Sequence, residues 1–188
     1  MVLALTTLWA SPGPAGADSR RNELARQSIL AARRTASTPP TPELVIEKVN
    51  QACRLLEKEG EAAFPVFQGP DSPFIFNGTY IFIHTLRDSR MHMHPVNPSL
   101  EGKQWLYQRD VKGKLYFAEF NEAALKKKGG WVRYYWPKPG ESQPLPKITY
   151  VKRCVHKGVE YVVACGIYLD SHKEPLSPKH PIQADEQP

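Results

Sequence analysis

The sequence predicts an α+β domain in which a long helix packs against an antiparallel sheet of five strands. One observation is a change in apolar spacing, from a helical repeat over residues 45–63 to strand-like alternation over residues 80–85. Another is a pair of strand patterns, residues 147–155 and 159–168, separated by a short turn. Because strands joined by a tight turn run antiparallel, these two patterns favour an antiparallel sheet.

The long helix is predicted to begin at Pro42. Thr41 supplies an N-cap hydroxyl, Pro42 suits the first helical position, and Glu43 adds a negative charge to the first turn. Apolar residues occupy one face of this helix and charged residues the other, so the apolar face should pack on the sheet. Before it, residues 18–41 are expected to form either an amphipathic helix or a partly ordered lead-in.

Five segments alternate as strands do, and a helix around residues 117–125 is predicted between the second and the third. The strand segments are residues 80–85, 91–94, 131–136, 147–155 and 159–168. Residues 131–136 contain two tryptophans and two tyrosines, so large rings project from both faces. Because such rings are costly to expose, we expect residues 131–136 and 159–168 to be central strands.

Composition fits one globular domain and argues against several classes of function. The 188 residues carry a formal net charge of +6, but the basic residues are dispersed, which does not favour nucleic-acid binding. The single basic run, residues 126–128, is interpreted as a solvated helix end. We find no glycine-rich phosphate loop and no hydrolase or metalloprotease motif, so neither a cofactor nor an enzymatic activity is expected.

The first 17 residues have the pattern of a secretory signal peptide. An apolar segment at residues 2–10 is followed by a Pro/Gly break and by an A-x-A cleavage pattern at residues 15–17. The apolar segment is too short to span a bilayer. We therefore expect a mature protein from about Asp18 that is periplasmic or secreted, has no direct membrane span, and ends in a disordered tail at residues 171–188.

Three cysteines, Cys53, Cys154 and Cys165, allow at most one disulfide within the chain. Cys154 and Cys165 are the closest pair in sequence and flank the last predicted hairpin, although its turn would not set them directly opposite each other. Either these two residues form a disulfide, or all three are buried free thiols.

Several motifs, in their order and spacing, closely resemble the single Cache domains (type 2-like) of bacterial extracytoplasmic sensors. They extend from about Leu55 to Tyr168 and read LLEKEGEAAFPVF, TYIFIH, HPVNPSLEGK, GWVRYYWPKP, LPKITYVKR and VVACGIY. The resemblance implies a PAS-like five-stranded antiparallel sheet with a long N-terminal helix, here a single domain of residues 42–170. It also implies binding of small molecules, often short organic acids. The chain departs from the pattern at residues 88–90, which lack the usual glycine, and at His92, which adds a second histidine.

Only a short polar tail follows the last strand, so we expect a free-standing exported form of this domain. It would bind a short carboxylate and pass the signal through a partner, such as a membrane sensor or a transporter protein. No nucleic-acid partner is expected.

We predict a ligand pocket between the sheet and the irregular segment of residues 95–110. Aromatic side chains would form its walls, and histidine, lysine, arginine and tyrosine would donate hydrogen bonds to a carboxylate. Because no acidic residue is among the candidates, an anion is favoured over an amine. The predicted ligand-binding residues are Tyr80, His92, His94, Trp105, Arg133, Tyr134, Trp136, Lys147 and Tyr150.

Two other functions stay open at this point. His84, His92 and His94 lie on alternate positions of adjacent predicted strands, and Met91 and Met93 add sulfur atoms, so they could converge on a metal ion. A periplasmic metal-binding protein is therefore one alternative. The other is a structural or interaction module that binds no ligand.

Overall fold

A six-stranded antiparallel sheet with α-helices on both faces organises the chain, in a computed structural model that describes residues 14–169. The α+β architecture predicted from the sequence is confirmed. In chain order the elements are α1 (Pro14–Arg34), α2 (Pro42–Glu59), β1 (Ile75–Phe76), β2 (Thr79–Thr85), β3 (Met91–Met93), α3 (Tyr116–Ala124), β4 (Gly130–Pro137), β5 (Pro144–His156) and β6 (Val159–Tyr168), with 3-10 helices at Gly60–Phe67 and Pro98–Leu100.

Most of the predicted signal peptide, and the predicted tail at residues 171–188, lie outside the described residues. The segment expected to be a helix or a lead-in, residues 18–41, contains most of helix α1, which begins four residues earlier at Pro14. Within residues 14–169, none of the helices combines the length and the apolar character that a membrane span requires.

The strand order is β1, β2, β6, β5, β4, with β3 also paired to β2. The expectation that residues 131–136 form a central strand was therefore wrong, because β4 lies at an edge, whereas β6 is central as predicted. Side chains cover part of the free edge of β4: Lys114 Nζ donates to the Arg133 carbonyl at 2.7 Å, and the Tyr135 amide donates to Asp110 Oδ2 at 3.1 Å. These contacts satisfy backbone groups that an edge strand would otherwise expose.

Two hairpins use a two-residue turn with positive φ at both positions. Lys157 and Gly158, with φ of 46° and 81°, join β5 to β6 at the turn predicted from the sequence. Asn77 and Gly78, with φ of 47° and 76°, join β1 to β2. The second hairpin was not predicted, although Asn-Gly is a strong signal for this turn type.

Helix α2 packs on one face of the sheet, as its amphipathic pattern predicted. The Thr41 hydroxyl accepts the Leu44 amide and caps the helix. Val45, Val49 and Leu56 are fully buried in the apolar core between α2 and the sheet. The opposite face carries a second core, built from rings of β2, β4 and α3 and from two alanines of α1.

A disulfide between Cys53 and Cys154 joins α2 to β5 across a separation of 101 residues, and Cys165 is a buried free thiol. Both sequence-based alternatives, a bond between Cys154 and Cys165 or three free thiols, were wrong. Cys154 pairs in register with Tyr161, and Cys165 pairs with Tyr150. The two cysteines are thus offset by four positions, about 13 Å along the strands, beyond the reach of a disulfide.

Replacing both bonded cysteines, Cys53→Ser with Cys154→Ser, is expected to lower the free energy of unfolding by about 2–5 kcal/mol, because the disulfide closes a long loop in the unfolded chain. Urea denaturation followed by circular dichroism measures this change. As a control, a reducing agent should destabilise the wild type but not the double variant. Three reactive thiols in the unfolded, unreduced protein would contradict the assignment.

Candidate ligand-binding site

A small cavity lies on the face of the sheet opposite α2, enclosed by strands β2 and β4, helix α3 and the segment of residues 94–105. Its volume is about 10 Å³, enough for about one water molecule. A larger ligand therefore requires some lining side chains to move. The lining residues are Tyr80, Phe82, Met91, His94, Leu100, Trp105, Tyr116, Phe117, Phe120, Tyr134 and Trp136.

Strand alternation explains why the predicted aromatic residues meet here. Tyr80 shares one face of β2 with Phe82, and Tyr134 shares the same face of β4 with Trp136. Trp105 reaches the cavity from the covering segment, where its Nε1 donates to the Leu100 carbonyl at 2.9 Å. These four of the five predicted tyrosine and tryptophan residues, together with His94, thus surround one cavity.

Lys147 lies fully buried beside this cavity, behind Tyr80. Its Nζ is 4.6 Å from the ring centroid of Tyr80 and 4.5 Å from that of Tyr168. It donates one hydrogen bond, to Tyr168 Oη at 3.2 Å. Gly166 makes room for it, because an added Cβ there would clash with Lys147 Cε.

Among residues 18–169, no carboxylate forms an ion pair with Lys147. Burial lowers the pKa of its ammonium to about 7. Aromatic faces attract a cation, but they recover only part of the hydration that it loses. The position therefore favours an anion close to Nζ.

His94 adds a neutral donor next to this lysine. Its Nδ1 accepts the Asn97 amide at 3.1 Å, so the proton of the neutral ring is on Nε2. Burial and the neighbouring charge of Lys147 lower the pKa of His94 to about 3, and the ring packs edge-on against Tyr80 at 5.0 Å. His94 can thus donate a hydrogen bond without adding a positive charge.

Tyr116, at the start of α3, was not predicted to line the site. The predicted helix was placed from residue 117 by apolar spacing, and a tyrosine one residue earlier has no distinctive pattern. The Tyr116 ring stacks on Tyr134 with centroids 4.8 Å apart and planes 11° apart. Its hydroxyl is buried and has no hydrogen-bond partner. Five other lining residues were not predicted to belong to the ligand pocket, because their sequence pattern is that of ordinary core residues: Phe82, Met91, Leu100, Phe117 and Phe120.

Besides Lys147, which lies behind Tyr80, three predicted binding residues do not line the cavity. Tyr150 is on the α2 face, where its hydroxyl donates to the Lys128 carbonyl. It is three positions from Lys147, and residues an odd number apart on a strand face opposite sides. Arg133 precedes Tyr134 and is exposed for the same reason. His92 contacts Glu61 at 3.0 Å, also on the α2 side.

The structure does not bring the three predicted metal ligands together. The His84 ring contacts Phe117 of α3 at 5.0 Å, whereas His92 packs against Tyr161 at 5.6 Å and His94 faces the cavity. Met91 and Met93 belong to different cores. In the part of the chain that the structure describes, no three histidine, cysteine, aspartate or glutamate side chains are grouped to hold a metal ion.

Comparisons with known proteins agree with this architecture. The family model described as "Cache domain" matches residues 72–173. The methyl-accepting chemotaxis protein McpP of Pseudomonas putida is 35% identical over 91 residues, which are 48% of this chain and 16% of that protein. The chain therefore spans only about a sixth of that relative.

Two solved structures are also similar. A periplasmic sensor domain of a chemotaxis protein is 32% identical, with a TM-score of 0.52 over 81% of this chain and 97% of that domain. A Cache chemosensory domain, studied for its recognition of carboxylic acids, is 24% identical, with a TM-score of 0.53 over 85% of this chain and 100% of that domain. The second likeness supports the fold alone.

Replacing Lys147 by methionine is expected to stabilise the protein by about 1–4 kcal/mol at pH 7 and below, as when buried charges are replaced by apolar residues of similar volume. The pKa of Lys147 is lower in the folded protein, about 7, than in the unfolded chain, about 10.5. Between these two pH values the unfolded chain binds more protons than the folded protein, so the stability of the wild type rises with pH. The gain of Lys147→Met should therefore shrink as the pH rises.

Urea denaturation at pH 6 and pH 9 measures this effect. Lys152→Met is the matched control, since Lys152 lies on the same strand but donates to Asn50 Oδ1 at 2.6 Å. This control should show no gain. A Lys147→Met protein that is less stable than the wild type at pH 6 would contradict the account.

Proposed function

Because the chain belongs to the Cache domain family, we propose that it binds a short organic acid and serves as the extracytoplasmic ligand-sensing part of a signalling system. The single observation that carries this proposal is Lys147, a buried amine beside an aromatic cavity with no carboxylate partner among the described residues.

The cavity chemistry favours an anion with a small apolar body. Among the residues that the structure describes, no aspartate or glutamate lines the cavity, so an amine would find no counter-ion from them. A carboxylate would accept charge-assisted bonds from Lys147 and a further bond from His94. The rings of Phe82, Phe120 and Trp136 would enclose the carbon atoms.

Size narrows the ligand class. Because the free volume is about 10 Å³, even an acid of two or three carbons must displace lining side chains. Met91 and Leu100 are flexible enough to yield, whereas the stacked Tyr116 and Tyr134 rings are held between strand and helix. A bulky ligand would have to separate the covering segment from the sheet.

The contacts of the covering segment suggest how binding is transmitted. The His94 amide donates to Glu101 Oε1 at 2.9 Å, and Arg21 of α1 pairs with the same carboxylate. Further along α1, Arg33 donates to the carbonyls of Pro139 and Gly140, in the turn between β4 and β5. We propose that a ligand at His94 shifts α1 through these contacts and that a partner protein reads the shift.

We also propose that the domain acts outside the cytoplasm, in the periplasm or as a secreted protein. The buried Cys53–Cys154 disulfide supports this location, because disulfides persist in oxidising compartments. The signal-peptide pattern of residues 1–17 and the domain limits of residues 42–170 belong to the same proposal. The partner would be a membrane sensor or a transporter protein.

Isothermal titration calorimetry with acetate and propionate at pH 6.5 tests the ligand class. The wild type should bind at least one of them, and Lys147→Met should bind it about 10 to 100 times more weakly, as expected for losing a hydrogen bond to a charged group. Propylamine should not bind.

Arg133→Met is the matched control, because Arg133 is a cation on the neighbouring strand that does not line the cavity. This variant should keep the wild-type affinity. Equal affinities of the wild type and Lys147→Met would remove Lys147 from the site, and a wild type that binds no short acid would refute the proposed ligand class.

A further inference from the structure

We propose that Tyr116 determines ligand specificity, selecting acids that carry a second oxygen on the carbon next to the carboxylate. These are the 2-hydroxy and 2-oxo acids, and they would be preferred over unsubstituted acids of equal length. This inference rests on the proposed function and names the substrate class of the same cavity.

The Tyr116 side chain is held in one position by its neighbours. It is 2% exposed, stacks on Tyr134, and meets Phe120 edge-on at 5.7 Å and Trp136 at 6.1 Å. The ring therefore has little freedom to turn its hydroxyl towards solvent. Because Tyr116 lines the cavity, a ligand there can reach that hydroxyl.

The hydroxyl of Tyr116 has no role in the packing of α3. It makes no hydrogen bond, although its oxygen is fully buried. A phenylalanine would preserve every ring contact and avoid the cost of burying an unpaired polar group. Two other polar groups that line the cavity are engaged: Tyr134 Oη accepts from Thr149 Oγ1 at 3.3 Å, and Trp105 Nε1 donates to Leu100.

Tyr116 faces a different part of the cavity from the expected carboxylate position. Lys147 and His94 lie close enough for the charge of one to lower the pKa of the other. Both of these side chains pack on the ring of Tyr80. The Tyr116 ring instead packs on Tyr134 and Phe120, and it belongs to the helix wall rather than to the sheet. A carboxylate at Lys147 would therefore leave Tyr116 for the neighbouring carbon of the ligand.

Carbon 2 of the ligand is where this hydroxyl would act. The apolar residues Phe117 and Phe120 form most of the helix wall, so Tyr116 is its single polar donor to the cavity. A hydroxyl can donate to either a keto or a hydroxyl oxygen. An acid that lacks this oxygen leaves the buried Tyr116 hydroxyl unpaired. Because an unpaired buried group is costly, a site of this kind binds such an acid more weakly.

Calorimetry with propionate, lactate and pyruvate, three acids of equal carbon number, tests the inference. The wild type should bind lactate or pyruvate at least about tenfold more tightly than propionate, the scale of one hydrogen bond. Tyr116→Phe should bring this ratio close to one by weakening the oxygenated acid and leaving propionate unchanged or tighter.

Tyr150→Phe is the matched control, because it removes a tyrosine hydroxyl on the opposite face of the sheet, and it should keep the wild-type ratio. A thermal melt establishes that each variant is folded. The ratio of affinities for oxygenated and unsubstituted acids in the wild type tests the preference even if a variant does not fold.

Four results would overturn the inference: a wild-type ratio near one, an unchanged ratio in Tyr116→Phe, an equal loss for all three acids, or no binding of any acid. In the first three the proposed function stands, since acids still bind. In the last, the proposed function fails as well.

Discussion

The burial of one lysine among aromatic rings is the constraint on which this account depends. Lys147 lies on a central strand, and its amine is enclosed by Tyr80 and Tyr168 without an acidic partner among the described side chains. Such a position opposes folding, because desolvation of an ammonium is not offset by ring contacts alone. The surrounding structure must therefore hold the lysine in place, and the proposed anion would offset part of this cost.

The two faces of the sheet divide stability from binding. The core on the α2 face is apolar. Helix α2 is capped by Thr41 and joined to the sheet by the Cys53–Cys154 disulfide. The other face contains every buried unpaired polar atom of the described side chains, namely His84 Nε2, Tyr116 Oη and Asn121 Oδ1. Unpaired buried groups are rare in folded proteins and often mark functional positions. The face with the cavity is thus the less optimised one, supported by a rigid opposite layer.

Local patterns in the sequence predicted the elements well, and contacts between distant strands poorly. Apolar spacing gave α2 and the last hairpin, because both depend on neighbours in the chain. Whether a strand lies at the edge or in the centre of a sheet depends on pairing between strands that are distant in the chain. The aromatic content of β4 therefore led to the wrong prediction that β4 is a central strand. Likewise, Cys53 and Cys154 meet only through the packing of α2 on β5, which no spacing reveals.

The candidate site shows the same division. Aromatic walls followed from strand alternation combined with the family resemblance, whereas Tyr150 was included against the alternation that places it opposite Lys147. Tyr116 could not be distinguished from core residues, because its importance lies in an unpaired hydroxyl that only the packed structure shows.

An NMR titration of the Lys147 side chain, with and without a short acid, tests the central claim most directly. Following the ¹³Cε and ¹⁵Nζ shifts against pH, with Lys147→Met to assign the signal, should give a midpoint near pH 7 in the free protein. Saturating propionate or pyruvate should raise that midpoint, because a bound carboxylate stabilises the ammonium. A midpoint near the ordinary lysine value that does not respond to either acid would contradict the account.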